Sequence, residues 1–184
     1  MWTERLLEAT GWTDQRLTLS WDAVESVLET QLPGDYKHLC EAFGKGRFCG
    51  AYSLYSVGDG KSADVLMSWR VELRYAPEPG SAEERDSDYA PYAIYRPGGT
   101  GLIPWGYGET GQKFFWLADS ESPDGWPTLA RWSDDWDAEW NRFDMSASEF
   151  MGRAVLDPEF GSFGLADLVP QPFFMTWPAG KLAE

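Results

Sequence analysis

The sequence predicts an α+β fold, in which residues 1–184 form one domain and an antiparallel β-sheet is flanked by helices. Apolar side chains recur at helical spacing through the N-terminal part of the chain. Short aromatic and β-branched runs separated by Gly, Pro and Asp follow them, as in an antiparallel meander. A chain of 184 residues fits one ordinary domain and can bury roughly 70% of the surface that its unfolded form exposes. We therefore expect a core that needs no metal or disulfide.

Four helices are predicted in the N-terminal part of the chain. Each combines an apolar stripe at helical spacing with a residue that favours a helix start or a helix end. In chain order these residues are Gly11 as a stop, Ser20 as a cap, Pro33 as a first residue, Gly44 as a stop and Ser62 as a cap. A short strand over residues 52–55 is predicted between the third and fourth helices.

Five short runs of aromatic and β-branched residues predict the strands of the meander. They cover residues 92–95, 102–105, 113–117, 128–132 and 140–143. Ser146 and Glu149 then form a capping box, which predicts a last helix that runs to Leu156 and is closed by Asp157-Pro158. The C-terminal extension, residues 157–184, has no clear period, and the sequence predicts no structure for it.

An acidic segment interrupts this pattern at residues 78–91. It lacks periodicity, and Arg85 is its single base among five acids: Glu78, Glu83, Glu84, Asp86 and Asp88. Such a polar stretch predicts a mobile surface loop rather than a domain boundary.

The charge balance limits the class of partner. The chain has 15 Lys+Arg against 30 Asp+Glu, and its formal net charge is -15. A nucleic acid is repelled at long range by such a protein and gains no counterion release on binding, so it is not an expected ligand. A basic protein would be attracted, although the acidity can equally serve solubility alone.

The N-terminal residues lack a basic leader followed by an apolar run, and no apolar stretch approaches the length of about 18 residues that a membrane span needs. We therefore expect a cytoplasmic protein without a membrane partner. The sequence makes no prediction of the oligomeric state.

The residue types that usually carry catalysis form no recognisable site. His38 and Cys40 share one predicted helix but point about 200° apart around its axis, so they cannot act as a dyad. With Cys49 they lack the paired spacings of a zinc site, and both cysteines are expected to be small buried hydrophobic residues. We expect no catalytic residue, no metal and no cofactor, although 30 acids leave a carboxylate pair across a cleft open.

The part of the chain between Asp119 and Glu149 is both acidic and rich in tryptophan. Aromatic anchors commonly contribute about 2 kcal/mol or more at interfaces, and acids raise the rate of association with a basic partner. The residues predicted to bind a partner are Asp119, Glu121, Asp134, Asp135, Trp136, Asp137 and Glu139, with the stretch 134–139 as the leading candidate. The alternative interpretation is that the tryptophans belong to the core and the acids form a solvated rim.

Several short motifs follow one another in a specific order. They are Leu32-Pro33-Gly34-Asp35-Tyr36-Lys37, Phe43-Gly44-Lys45-Gly46, Gly101-Leu102-Ile103-Pro104-Trp105-Gly106, Phe115-Trp116, Trp126-Pro127 and Phe150. In this order and spacing the chain resembles the SUKH superfamily, which contains bacterial immunity proteins and fungal regulators of cell-wall synthesis. The resemblance covers about residues 12–156.

The resemblance implies an α+β fold with an antiparallel sheet flanked by helices, and no catalytic residues. It also implies an antidote that binds and blocks a toxin, often a nuclease or another enzyme that modifies nucleic acid. We therefore expect a non-catalytic intracellular immunity protein whose acidic aromatic surface binds a basic toxin domain. Two alternatives stay open: a cytoplasmic regulatory or scaffold module with a peptide partner, and a carbohydrate-binding protein that uses Trp105, Trp116 or Trp126 as stacking platforms.

Overall fold

The computed structural model describes residues 1–58, 63–133 and 139–176 of the chain. Within these residues, five α-helices and a seven-stranded sheet confirm the predicted α+β class. The helices are α1 (Trp2–Thr10), α2 (Trp21–Leu28), α3 (Gly34–Phe43), α4 (Val65–Tyr75) and α5 (Ala147–Leu156). The strands are β1 (Gly46–Phe48), β2 (Tyr52–Leu54), β3 (Gly101–Gly108), β4 (Gln112–Ala118), β5 (Thr128–Trp132), β6 (Asn141–Phe143) and β7 (Phe174–Thr176). The described helices include none that is long and apolar enough to cross a membrane.

The strands lie in the order β6-β5-β4-β3-β2-β1-β7, and every neighbouring pair is antiparallel. β1 to β6 form a meander, so that consecutive strands of the chain are neighbours in the sheet. β7 returns from the C-terminal extension and pairs with β1, where Phe174 lies opposite Phe48. The sequence predicted most of the meander but neither the short β1, which follows a glycine-rich turn, nor β7.

One predicted strand is wrong. Residues 92–95 form no strand, and Ile94 makes only a single bridge with Leu102. The carbonyl oxygen of Tyr95 accepts a hydrogen bond from the indole Nε1 of Trp69 at 2.9 Å, and the hydroxyl of Tyr95 donates to the carbonyl of Leu28 at 3.0 Å. Tyr95 therefore joins α2 and α4 through side-chain hydrogen bonds, which replace part of the pairing that a strand would need.

The predicted helix ends at Gly11 and Gly44 are confirmed, since both residues follow the last turn of their helix with positive φ. The predicted cap at Ser62, a residue outside the described ranges, is wrong, because α4 begins after Asp64. α4 is capped by Asp64, whose carboxylate accepts a hydrogen bond from the amide of Met67 at 2.9 Å. An aspartate two residues nearer to the apolar stripe thus supplies the acceptor that the free amides of the first turn require.

The last helix begins as predicted, because the amide of Glu149 donates to the Ser146 hydroxyl at 3.3 Å. The other two starts are only partly as predicted. Ser20 directly precedes α2, but its side chain makes no capping hydrogen bond. Pro33 lies just before the first helical residue of α3 rather than at it.

Alternate residues of β4 face opposite sides of the sheet and hold helices on both sides. On one side the ring of Trp116 lies 4.6 Å from the ring of Tyr36 in α3, and α3 packs against α1 and α5. On the other side Nζ of Lys113 lies 2.9 Å from Oε1 of Glu72 in α4. The molecule therefore has a helical layer of α1, α3 and α5 on one face, and α4 with the segment that follows it on the other.

The first turn of α3, which carries the leading motif of the resemblance, is occupied in holding the fold together. Tyr36 is fully buried, and its hydroxyl donates to the carbonyl oxygens of Trp105, at 2.6 Å, and of Tyr55. The carboxylate of Asp35 accepts a hydrogen bond from the amide of Ser148 in the first turn of α5, at 3.0 Å. These motif residues have structural partners, so a binding surface has to be sought elsewhere.

Candidate protein-binding surface

The predicted binding residues separate into two groups. Asp134, Asp135, Trp136 and Asp137 lie outside the described residues. Glu139 is exposed just before β6, whereas Asp119 and Glu121 are exposed in the connection between β4 and β5. Glu139 lies beyond one end of β5, and Asp119 and Glu121 lie beyond the other. At the usual rise per residue of a strand, the length of β5 separates them by about 13 Å or more.

The group around Asp119 has much of its charge compensated. Arg142 lies between two acids, with Nε at 2.8 Å from Asp144 and Nη1 at 3.9 Å from Asp119. The hydrogen bond to Asp144 raises the pKa of Arg142 above its ordinary value. Asp124 accepts a hydrogen bond from the amide of Gly34 at the start of α3, at 2.7 Å. Most carboxylates at this end of β5 therefore have structural partners.

At the other end of β5, the acidic segment 78–91 is fastened against β5 and β6. The indole Nε1 of Trp140 donates to the carbonyl of Ala90 at 3.0 Å, and the buried guanidinium of Arg131 donates to the carbonyl of Asp88. The Trp140 ring also meets Tyr92 edge-on, with centroids 5.6 Å apart. Residues 88–92 and Trp140, which are distant in sequence, thus lie side by side.

Tyr89 anchors the same segment to α4. Its hydroxyl donates to Oε2 of Glu72 at 2.8 Å, and Lys113 neutralises that buried carboxylate from β4. Burial, followed by the nearby charge of Glu72, raises the pKa of Tyr89 well above its ordinary value. The predicted surface loop is therefore anchored near its C-terminal end and contains a short 3₁₀ helix (Ala82–Asp86), while its mobility stays a prediction.

We give the name acidic face to four residues of neighbouring segments, Tyr75, Glu83, Asp88 and Glu139, the last of which adjoins Trp140. Its three carboxylates belong to exposed residues, and none forms an ion pair with any other part of the chain that the structure describes. Tyr75 is 73% exposed and lines one open depression together with Glu83 and Asp88. Uncompensated negative charge and an exposed ring therefore occur together at this face.

The tryptophans contribute less to the surface than predicted. Trp126 is 3% exposed, and Trp105 and Trp116 are fully buried. Trp132 and Trp140 are partly buried against the core. The alternative interpretation, in which tryptophans form the core, is thus correct for Trp126. Trp105, Trp116 and Trp126 cannot serve as stacking platforms for sugars, so that prediction was wrong.

The residues considered for catalysis lie apart from the acidic face. Cys40 is buried, as predicted, and its burial raises the pKa of the thiol to about 12. Nε2 of His38 lies 3.2 Å from Oε1 of Glu4. Across the ranges that the structure describes, no group of three or more His, Cys, Asp or Glu residues could hold a metal ion. Two cavities beside the anchored segment measure about 10 Å³ and 50 Å³, whereas two open depressions, one that includes Tyr75 and one that includes Asp119, measure about 340 Å³ and 450 Å³.

Comparison of the chain with models of known protein families, with curated proteins and with solved structures finds no match. The family resemblance therefore rests on its sequence motifs alone.

Proposed function

We propose that this chain is a non-catalytic immunity protein of the cytoplasm that binds a cognate bacterial toxin and neutralises it through the acidic face. The toxin is a basic protein domain, and a nuclease is the class that the charges suit best. The motifs that resemble the SUKH superfamily support the class of protein, and the acidic face supports the chemistry of the partner.

The observation that carries the proposal is that residues 88–90 of the acidic segment lie beside Trp140, the neighbour of Glu139. The contacts of Trp140 and Arg131 hold residues 88–90 beside β5 and β6. They bring together segments that are about 50 residues apart in the chain, one with Asp88 and the other with Glu139. Neither carboxylate forms an ion pair with any of the described residues. A fixed patch of one sign steers a partner of the opposite sign and rejects partners of the same sign.

A nuclease must carry a positively charged cleft, because its substrate is a polyanion. A protein with a net charge of -15 can cover such a cleft by presenting negative charge in place of the phosphate backbone. Neutralisation then requires only occlusion, so the antidote needs no catalytic residue of its own. The exposed ring of Tyr75 would add contact area at the centre of the patch, where aromatic residues contribute most.

The second candidate is a regulatory or scaffold module that binds a peptide through the same face. Nothing in the acidic face separates the two, since a basic peptide has the same charge as a basic cleft. The gene beside this one does separate them, because immunity proteins are encoded next to their toxins.

The proposal is tested with the toxin domain encoded beside this chain. Its cleavage of nucleic acid is measured while the full-length protein is titrated into the reaction. We expect cleavage to stop at a defined molar ratio, and binding of nucleic acid to the toxin to be lost at the same ratio. A neighbouring gene without a toxin domain, or a toxin that cleaves normally beside excess protein, contradicts the proposal.

A further inference from the structure

The outer side of α4 carries a row of exposed apolar side chains. Met67, Val71 and Tyr75 are 46%, 40% and 73% exposed. They are spaced four residues apart, so each lies about 40° further around the helix and about 6 Å further along it than the one before. We call these three residues the α4 stripe. The opposite side of the helix buries Val65, Trp69 and Glu72 against the rest of the molecule.

The two edges of the α4 stripe carry opposite charges. Arg70 and Arg74 are exposed and lie about 60° and 20° from Met67 on the side away from Tyr75. On the other side, Tyr75 shares its depression with Glu83 and Asp88 of the acidic face. Neither arginine is ion-paired with any residue in the described ranges. An apolar row between a basic edge and an acidic edge is therefore open to solvent.

We propose that the α4 stripe is the seat of an amphipathic helix of the partner, which carries a basic edge and an acidic edge on either side of its own apolar row. This inference rests on the proposed function and specifies the docking element of that partner. The basic edge of the incoming helix lies over Glu83 and Asp88, and its acidic edge lies over Arg70 and Arg74. Helices bind helical surfaces through apolar residues at such spacing, and charges at the edges set the partner and its direction.

A second copy of this chain fits the stripe poorly. Two copies carry a net charge of -15 each, so they repel each other in any orientation, and an antiparallel twofold pairing of α4 would also place edges of like charge together. A partner helix with mixed edges meets both flanking charges with the opposite sign.

The test uses a synthetic helical peptide as the probe and the full chain as the receptor. The peptide carries leucine at helical spacing, lysine along one edge and glutamate along the other, and its affinity is measured by fluorescence anisotropy. We expect M67S/V71S/Y75S to weaken binding about tenfold or more. The matched control is Leu168→Ser, which alters a side chain that is 76% exposed away from α4 and should leave the affinity unchanged.

Reversing the charges on the two edges of the α4 stripe distinguishes specific docking of the peptide from non-specific hydrophobic binding. R70E/R74E and E83K/D88K should each weaken binding, whereas the variant that combines all four changes should recover it. Recovery is expected because the peptide can turn by 180° on the surface, so that each edge again meets the opposite charge. Circular dichroism and urea unfolding of every variant check that the fold is intact.

Four results would overturn the inference: unchanged affinity of M67S/V71S/Y75S, equal binding of a scrambled peptide of the same composition, failure of the combined variant to recover, or a dimer of the chain that M67S/V71S/Y75S dissociates. A peptide that fails while the toxin is still inhibited refutes the docking helix and leaves the proposed function in place. A peptide that shows the charge-exchange pattern while no toxin is inhibited supports the docking helix and refutes the immunity role.

Discussion

Reversing Glu83, Asp88 and Glu139 to lysine is expected to slow association with the toxin by about tenfold or more at low ionic strength. The three carboxylates are exposed and lack ion pairs among the described residues, so they contribute to the potential that an approaching partner meets. Association rates measured by stopped-flow fluorescence from low to high salt check this prediction. The difference between the two proteins should shrink as salt rises, because the Debye length falls to about 3 Å at 1 M.

The matched control reverses three exposed acids on the opposite side of the sheet, Glu8, Glu159 and Asp167. It changes the net charge by the same amount but leaves the acidic face intact. We expect the control to slow association far less than the acidic-face variant. A further variant reverses Asp134, Asp135 and Asp137, the leading residues from the sequence, and should also slow association steeply at low salt. Equal rates for the acidic-face variant and the control would remove this face as the docking surface.

Replacing Tyr36 by alanine is expected to lower the free energy of unfolding by about 3–5 kcal/mol. The side chain is fully buried, and its ring centroid lies 4.6 Å from that of Trp116 and 6.1 Å from that of Trp105. Its removal leaves a cavity between α3 and the sheet and takes the hydroxyl donor away from the carbonyls of Trp105 and Tyr55. Urea unfolding followed by tryptophan fluorescence measures the loss.

Two further variants serve as comparisons: one removes only the hydroxyl of Tyr36, and the other removes an exposed tyrosine ring. Tyr36→Phe keeps the packing but leaves those buried carbonyls without the hydroxyl, which should cost about 1–3 kcal/mol. Tyr75→Ala changes an equally large ring that is 73% exposed and should shift the free energy of unfolding by about 0.5 kcal/mol or less. A Tyr36→Ala protein as stable as Tyr75→Ala would contradict the structural role given to the first turn of α3.

Much of the fold could be predicted from local patterns. The strand over residues 128–132 agrees with β5 to the residue, because β-branched, apolar and aromatic residues there lie between clear turns. The capping box at Ser146 and Glu149 located the start of α5. Where backbone partners are side chains from distant elements, local patterns fail. Tyr95 is the example, because its apolar neighbours in the sequence predict a strand, whereas its carbonyl oxygen accepts a hydrogen bond from the indole of Trp69.

The candidate site could be predicted only in part. Acid content located Glu139 and, separately, the segment 78–91. Their proximity depends on the hydrogen bonds of Trp140 to Ala90 and of Arg131 to Asp88, across 50 and 43 residues, for which no local pattern exists. Composition also does not separate a buried ring from an exposed one. Trp126 is 3% exposed and Tyr75 is 73% exposed.

Hydrogen–deuterium exchange of the chain, with and without the toxin domain, tests most directly whether the acidic face is where the partner docks. Exchange reports protection of backbone amides segment by segment. We expect slower exchange on toxin binding in residues 78–92 and 139–143, with unchanged exchange in α1 and α5. Protection confined to α1 and α5, with residues 78–92 exchanging as in the free protein, would contradict this expectation.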